Sequence, residues 1–488
     1  MALITRRQFV QKAAFSASAV YGYSLHHFER PQILQRQRTK PASVGVDLIR
    51  KLASKIAGHV ITPDASEYEV ARQVNNHAYD RQPAVIVRCA IPDDIARALE
   101  FARNNNLPLA VRCGGHSSAG FGVCDGGVMI DLGGMRRVEV DAQKRTVRAE
   151  AGCLVTNIDQ ATQRFGLATV MGGCPTVGIG GLTLGGGIGT LTPKYGAACD
   201  NLDSAHLMTV DSRHLEASHD SNSDLFWAIR GGGGNFGVAT SFQYRLYPIT
   251  EFLAGALEYP ARDISELLWI YQKFTATAPD EIMVVAMIVS SKPVSRFVIR
   301  FRSCGDASSG NQLLRPLRAP IKPEVDTVKV MSYLEAQTTE FPQPPKPPSF
   351  FETSLFLPEL NEPAISAIST AIQNAPPKMR VMMWNMHGAV TRVPVQDSAF
   401  PLRESGHVVQ LRGDWETPGA EGSARQWTKA LRATLDPFSR GMYVNHLSEP
   451  SDNYIQAAYG PNYKRLAEIK KKYDPTNLLA LNPNIKPA

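Results

Sequence analysis

Long apolar runs, paired cysteines and dense stripes of one charge are all scarce in this chain of 488 residues. No stretch approaches the ~18 consecutive apolar residues that a membrane-spanning helix needs, so no transmembrane segment is expected. The seven cysteines form no even, closely spaced framework and no Cys-x-x-Cys pair. That pattern excludes a disulfide scaffold and gives no zinc site. The formal charge of +7 is modest for the length and gathers into no basic face, which argues against nucleic-acid binding. Hydrophobic residues at 43% and charged residues at 20% describe a globular chain too long for one ordinary core, so two substantial domains are expected.

Residues 1–40 read as a leader and linker outside the fold. Thr5-Arg6-Arg7-Gln8-Phe9-Val10 resembles a twin-arginine export signal, with a weakly apolar stretch from Ala13 to Val20 behind it. Gln11 stands where lysine is common, although Lys12 follows at once. The expectation is an exported protein that meets the twin-arginine translocon in transit; the plain alternative is a basic tail on a cytoplasmic enzyme.

From Pro41 to Pro248 strand and helix signals alternate. Ala84 to Arg88 reads as a buried strand. Asp93 to Asn106 reads as a helix, with Ile95, Ala98, Leu99 and Ala102 at helical spacing. Leu109 to Arg112 then completes a β-α-β unit. Val128–Asp131, Val138–Val140 and Arg145–Ala151 are further short strands. Past Pro248 glycine thins out and the texture becomes α+β to about residue 425, with a proline-rich loop from Pro342 to Pro348. The last segment, 426–488, holds a helix from Tyr463 to Lys472 and ends in Asp474-Pro475-Thr476-Asn477 and beyond.

Three glycine-rich segments are singular. Arg112-Cys113-Gly114-Gly115-His116-Ser117-Ser118 follows a strand, and its small residues let a backbone approach a diphosphate closely. A histidine there is unusual for phosphate binding alone, although a turn histidine with a satisfied ring gives the same pattern. Gly172-Gly173-Cys174-Pro175-Thr176-Val177-Gly178 continues through Gly180, Gly181 and Gly187. So many glycines cost conformational entropy unless something bulky packs on the backbone. Cys174 read alone is equally a small buried thiol. Gly232-x-Gly234-x-x-Gly237 fits the dinucleotide fingerprint as a string, but a strand follows from Val238 instead of a helix, so a Rossmann nicotinamide site is not expected.

Together these segments resemble the berberine-bridge-enzyme-like branch of the FAD-linked oxidases, with its vanillyl-alcohol-oxidase (PCMH-type) flavin domain. The resemblance runs from about Asp64 to Leu481-Asn482-Pro483-Asn484-Ile485, where the family often has glutamine in place of Pro483. It implies an α+β architecture: a two-part FAD-binding domain over 41–248, and a substrate domain over 249–425 with a large antiparallel sheet covered by helices. The segment 426–488 returns to the flavin domain. It implies FAD attached twice, with His116 on the flavin 8α carbon and Cys174 on C6. Two tethers allow an open site for a bulky substrate and make the flavin easier to reduce. Gly114, Gly115, Ser117 and Ser118 would surround the diphosphate, and Gly180, Gly181 and Gly187 would line the flavin. Tyr195 and Asn201 would sit close by, with Gly237 and Val238 toward the adenine and Asn482 toward the isoalloxazine. Val177 occupies the position that gates oxygen, and valine is the permissive residue, so an oxidase using O2 is implied.

The catalytic base is less settled by the motifs. Many bacterial relatives carry Tyr-x-Asn-Tyr where this chain has Tyr443-Val444-Asn445-His446. His446 is thus the candidate base, with a hydrogen-bonded loop histidine as the alternative. Plant members use a glutamate whose nearest equivalent here is Arg392, which cannot act as a base but would anchor a polar or anionic substrate. Trp384, Asn385 and His387 are expected on the same strand as Arg392, with alternate side chains toward the flavin. Trp384 would stack on a sugar or aromatic ring, or be an ordinary core tryptophan. The expected reaction is oxidation of an alcohol-type C–H in a carbohydrate or polyphenol-like small molecule, yielding H2O2. The alternatives are a tailoring oxidase closing rings or oxidising an amine, and a flavin-binding protein without turnover.

Overall fold

The computed structural model describes residues 44–249, 251–291, 294–339 and 348–488. The twin-arginine segment lies outside the described residues, as does the proline-rich loop apart from Pro348. Among the described residues no helix is long and apolar enough to cross a membrane.

The first layer is a four-stranded sheet of β1 (His59–Ile61), β2 (Val85–Arg88), β3 (Leu109–Arg112) and β4 (Val128–Asp131), in the order β1-β2-β4-β3. The strands of the expected β-α-β unit are not neighbours, because β4 enters between them and pairs parallel with both. The crossover helix Pro92–Asn104 starts with proline at its first turn, where a missing N–H costs nothing. Its Asp94 carboxylate accepts N–H groups from Ala57 at 2.8 Å, Gly58 at 3.0 Å and Ala90 at 2.9 Å, fixing the helix to the loop before β1.

A second sheet of β5 (Val138–Asp141), β6 (Thr146–Glu150), β8 (Leu202–Met208), β9 (His214–Ser218) and β10 (Val238–Arg245) runs β5-β6-β10-β8-β9. The strand expected after the third glycine segment is therefore β10. A small pair, β7 (Leu167–Ala168) with β11 (Tyr247–Pro248), closes this half.

The large sheet is eight-stranded and antiparallel. It comprises β12 (Glu251–Pro260), β13 (Ile282–Val289), β14 (Arg296–Ser303), β15 (Val325–Asp326), β16 (Lys329–Ser332), β17 (Ser349–Leu357), β18 (Met379–Met386) and β19 (Gly406–Trp415). Period-two alternation assigns its two faces. Ile282, Val284, Ala286 and Ile288 of β13 share one core with the helices Ile264–Thr275, Glu362–Gln373 and Glu421–Leu435. Met283, Val285 and Met287 share the opposite core with Ile188, Ala197 and Cys199 from the flavin-type half. The helix 421–435 straddles the boundary expected at 425, yet it packs on β17 and β19, so the substrate layer extends through it.

Candidate active site

The site forms where the first two glycine segments meet the face of the large sheet that packs on Ile188, Ala197 and Cys199. Arg112 at the end of β3 and Arg88 at the end of β2 each reach Asp131 at 2.8 Å, fixing the strand ends from which the first loop departs. Burial works against ionisation of Asp131, but the two guanidiniums hold its carboxyl below the ordinary range. Gly114 crosses Gly178 of the second loop so closely that a Cβ on either would overlap the other's backbone. Gly115 turns with φ +72°, where only glycine is unstrained.

This crossing brings the two expected tether residues to one hydroxyl. His116 Nε2 lies 3.0 Å from Thr176 Oγ1, and Cys174 Sγ lies 3.5 Å from the same oxygen. Burial, with the nearby Arg412 charge, presses the His116 imidazole down to about 4, so its ring is neutral at pH 7. Val177 closes the turn by donating its N–H to Cys174 O at 3.2 Å.

The C-terminal segment completes the site. Tyr443 O–H lies buried between the Gly187 N–H, which it accepts at 3.2 Å, and Asn445 Nδ2 at 2.9 Å. Burial raises this phenol to about 12, so it stays protonated. Gly187, at φ +81°, leaves no room for a side chain beside Ala198. His446 is half-buried, edge-on to Tyr443 with centroids 4.9 Å apart and tilted against Trp384 at 5.2 Å. Its Nδ1 is buried without a hydrogen-bond partner. Burial lowers its proton affinity, Glu352 partly restores it and Arg412 opposes it.

Beside the expected Trp384, the structure assigns residues that the motifs did not mark. Glu352 on β17, Trp384 on β18 and Gln410 and Arg412 on β19 occupy the face of the sheet that carries Phe356, Met382 and Val408 toward the flavin-type half. Glu352 is directly opposite Arg412 in the ladder. Ser118, whose backbone is expected at a diphosphate, turns its hydroxyl to Glu352 and to Asn445 O at 3.2 Å. Only strand register shows this cluster, although Thr176 was present in the second motif.

Other expectations fall differently. Asn201 is buried and spends its amide on Tyr195 O at 3.0 Å and Ala197 O at 2.8 Å, while Tyr195 stacks on Tyr247 with centroids 3.8 Å apart. Arg392 is a correction: β18 stops at Met386, and Arg392 lies in the one-turn helix Ala389–Arg392. Its side chain is 61% exposed and pairs with Asp280 at 2.5 Å. Nothing brings it to His446. Asn385 and His387 bond each other at 2.9 Å and reach Thr275 O and Pro279 O on the helix-covered side, so of that set only Trp384 faces the site.

The third loop joins the second where Gly231 and Gly233 donate to Leu184 O at 3.0 and 2.8 Å. Gly237 and Val238 then lead into β10, whose Val238 pairs with Met208. Asn482 donates to Gly234 O at 3.2 Å and Leu479 O at 2.8 Å, while its Oδ1 is buried without a partner. Asn484 Oδ1 is orphaned in the same way. Buried orphans of this kind require a partner from outside the chain or a cost of roughly 1–3 kcal/mol each. A Cβ on Gly181 or Gly234 would meet nothing within 4 Å, in contrast to their crowded neighbours. Bare backbone at Gly234 facing open space beside the orphaned amide of Asn482 suits a large polar cofactor.

A two-part flavin-type half set against an antiparallel substrate sheet defines a flavoprotein of the PCMH type. Residues 83–218 match the FAD binding domain family, and residues 442–486 match the berberine and berberine-like family. The FAD-linked oxidoreductase YgaK of Bacillus subtilis (strain 168) is 30% identical over 443 residues, 89% of this chain and 98% of its own. The (R)-6-hydroxynicotine oxidase of Paenarthrobacter nicotinovorans is 29% identical over 455 residues, covering 90% of this chain and 99% of the relative. The crystal structure of 6-hydroxy-D-nicotine oxidase from Arthrobacter nicotinovorans matches with TM-score 0.82 at 27% identity, over 89% of this chain and 98% of that one. The chain belongs to the berberine-bridge-like FAD-linked oxidoreductases. It is an enzyme, and its cofactor is FAD.

Proposed function

We propose that this enzyme is an oxidase that carries FAD bound covalently at both His116 and Cys174 and oxidises an alcohol-type C–H in a carbohydrate or polyphenol-like small molecule. The observation that carries this reading is the convergence of His116 and Cys174 on Thr176 Oγ1, at 3.0 and 3.5 Å. When bound, FAD supplies the acceptor for a hydride, whose electrons pass to oxygen to give hydrogen peroxide. The protein supplies the rest. His446, kept neutral by burial, takes the hydroxyl proton of the substrate as its C–H bond breaks. Tyr443, protonated and held by Gly187 and Asn445, walls one side of that imidazole. Trp384 walls another and offers a ring on which a sugar or arene can stack. Val177 in the Cys174 turn stands where the family resemblance places the residue that gates oxygen, and valine is the permissive one there.

The likeness to (R)-6-hydroxynicotine oxidase favours a second reading, oxidation of an amine. Screening oligosaccharides, phenolic alcohols and cyclic amines for coupled peroxide release separates the two. Turnover of alcohols is the expected result. Turnover of amines alone would establish the second reading, and flavin-loaded protein inert toward every class would contradict both.

A further inference from the structure

We propose that Glu352 is the charge-balancing and positioning partner of His446, steadying the imidazolium formed when that ring accepts the substrate proton. The inference rests on the reading of His446 as the base. It begins with the backbone. The segment from Tyr443 to Ser448 is stapled along β17 at both ends. Ser448 N–H donates to Glu352 O and Glu352 N–H to Ser448 Oγ, both at 3.0 Å. Five residues toward the start of the segment, Tyr443 N–H meets Ser354 Oγ at 3.1 Å, and that hydroxyl donates back to Tyr443 O at 3.0 Å. His446 is therefore fixed over the strand that carries Glu352.

The charges around the ring are few. Its own segment presents the neutral Tyr443 ring, and β18 presents the neutral Trp384 ring. The charges that act on the ring are those of Glu352 on β17, which favours its protonation, and Arg412 on β19, which opposes it. Arg412 spends its short bonds on Asp414, at 2.9 and 2.7 Å, and stacks on Phe350, leaving a 3.4 Å contact to Glu352. Asp414 is bonded to Arg380 as well, at 2.6 Å. Glu352 is thus the less tightly paired of the two carboxylates that Arg412 serves. Its shorter bonds come from neutral donors, Ser118 Oγ and, at 2.7 Å, Gln410 Nε2. With only 4% of its side chain exposed and its one guanidinium partner at 3.4 Å, this carboxylate gains from a further positive charge nearby. An imidazolium at His446 adds that charge at the moment of proton transfer. Both Glu352 oxygens already accept hydrogen bonds, and the role assigned to it acts through His446.

The test uses the full-length, flavin-loaded enzyme and the isosteric substitution Glu352→Gln, with Glu352→Asp as the conservative control. Two readouts are needed: the pH dependence of anaerobic flavin reduction by substrate, and the ring titration of His446 by NMR with labelled histidine. Glu352→Gln is expected to move both the acid limb and the His446 titration to lower pH by about one pH unit, a tenfold loss of proton affinity, and to lower the plateau rate. Glu352→Asp should restore most of that shift. If His446→Gln is inactive yet Glu352→Gln leaves the limb and titration unmoved, Glu352 is only a structural anchor and the inference falls alone. If His446→Gln reduces its flavin at the undiminished rate, the base assignment falls and takes the inference with it.

Discussion

Asp159 shows how much one buried carboxyl can set the conditions under which this enzyme is stable. Its Oδ2 accepts from Gln337 Nε2 at 3.2 Å, its Oδ1 has no partner, and burial pushes its proton affinity up to about 7. The unfolded chain releases that proton near pH ~4. Between these values the folded state binds more protons, so stability falls as pH rises through the window and levels off above about 7. The effect is ~4 kcal/mol at most, since each pKa unit is worth about 1.4 kcal/mol. Asp159→Asn should flatten this part of the profile, read from unfolding midpoints between pH 4 and 8; a profile as steep as wild type would contradict it. Gln337 also donates to Gly172 O at 3.2 Å, so this carboxyl sits one residue from the loop that leads to Cys174. At this scale His116 and Cys174 drew attention through the family resemblance that their motifs carry together; each motif alone left a turn histidine and a buried thiol open. Arg392 was misplaced because a strand end cannot be read from an apolar run that simply stops. Glu352 and Arg412 were invisible, since each looks like any strand-edge charge until its neighbour is known.

Elements explain what single residues do not. Alternation along β13, β17, β18 and β19 gives the large sheet one apolar face for its helices and a second face for the site. The existence of β2 to β6 and of the helices at 92–104 and 463–473 follows from periodicity. The pairing Glu352 to Arg412 does not, because register joins segments more than fifty residues apart and no local pattern fixes it. The last helix shows a comparable long-range tie. Lys470, fully buried, donates to Asp474 at 2.7 Å, to Asn235 O at 2.9 Å and to Leu479 O at 3.1 Å. One ammonium thereby pins the third glycine loop to the segment carrying Asn482. Removing one partner strands the other, so Lys470→Met or Asp474→Asn should cost about 3–5 kcal/mol in denaturant unfolding. Replacing both with apolar residues should recover much of it. A single-variant loss below ~1 kcal/mol would mean that the pair behaves as a surface bridge.

On the scale of the whole molecule, a flavin-binding half and a substrate sheet enclose a site that neither builds alone. The flavin half contributes His116, Cys174, Thr176 and Gly187; the sheet contributes Glu352, Trp384, Gln410 and Arg412; the C-terminal segment contributes Tyr443 and His446. That division also explains why the family was readable from the sequence while the substrate was not: the cofactor loops are local motifs, and the sheet face is assembled from register. The most direct measurement denatures the purified, flavin-loaded protein in acid and asks whether colour and flavin fluorescence stay with the polypeptide. It is repeated for His116→Ala, Cys174→Ala and the double variant. Two covalent attachments predict that flavin stays on wild type and on each single variant and is lost only from the double. Flavin that washes freely from fully loaded wild type would contradict the account, leaving the loops around His116 and Cys174 as a noncovalent cradle.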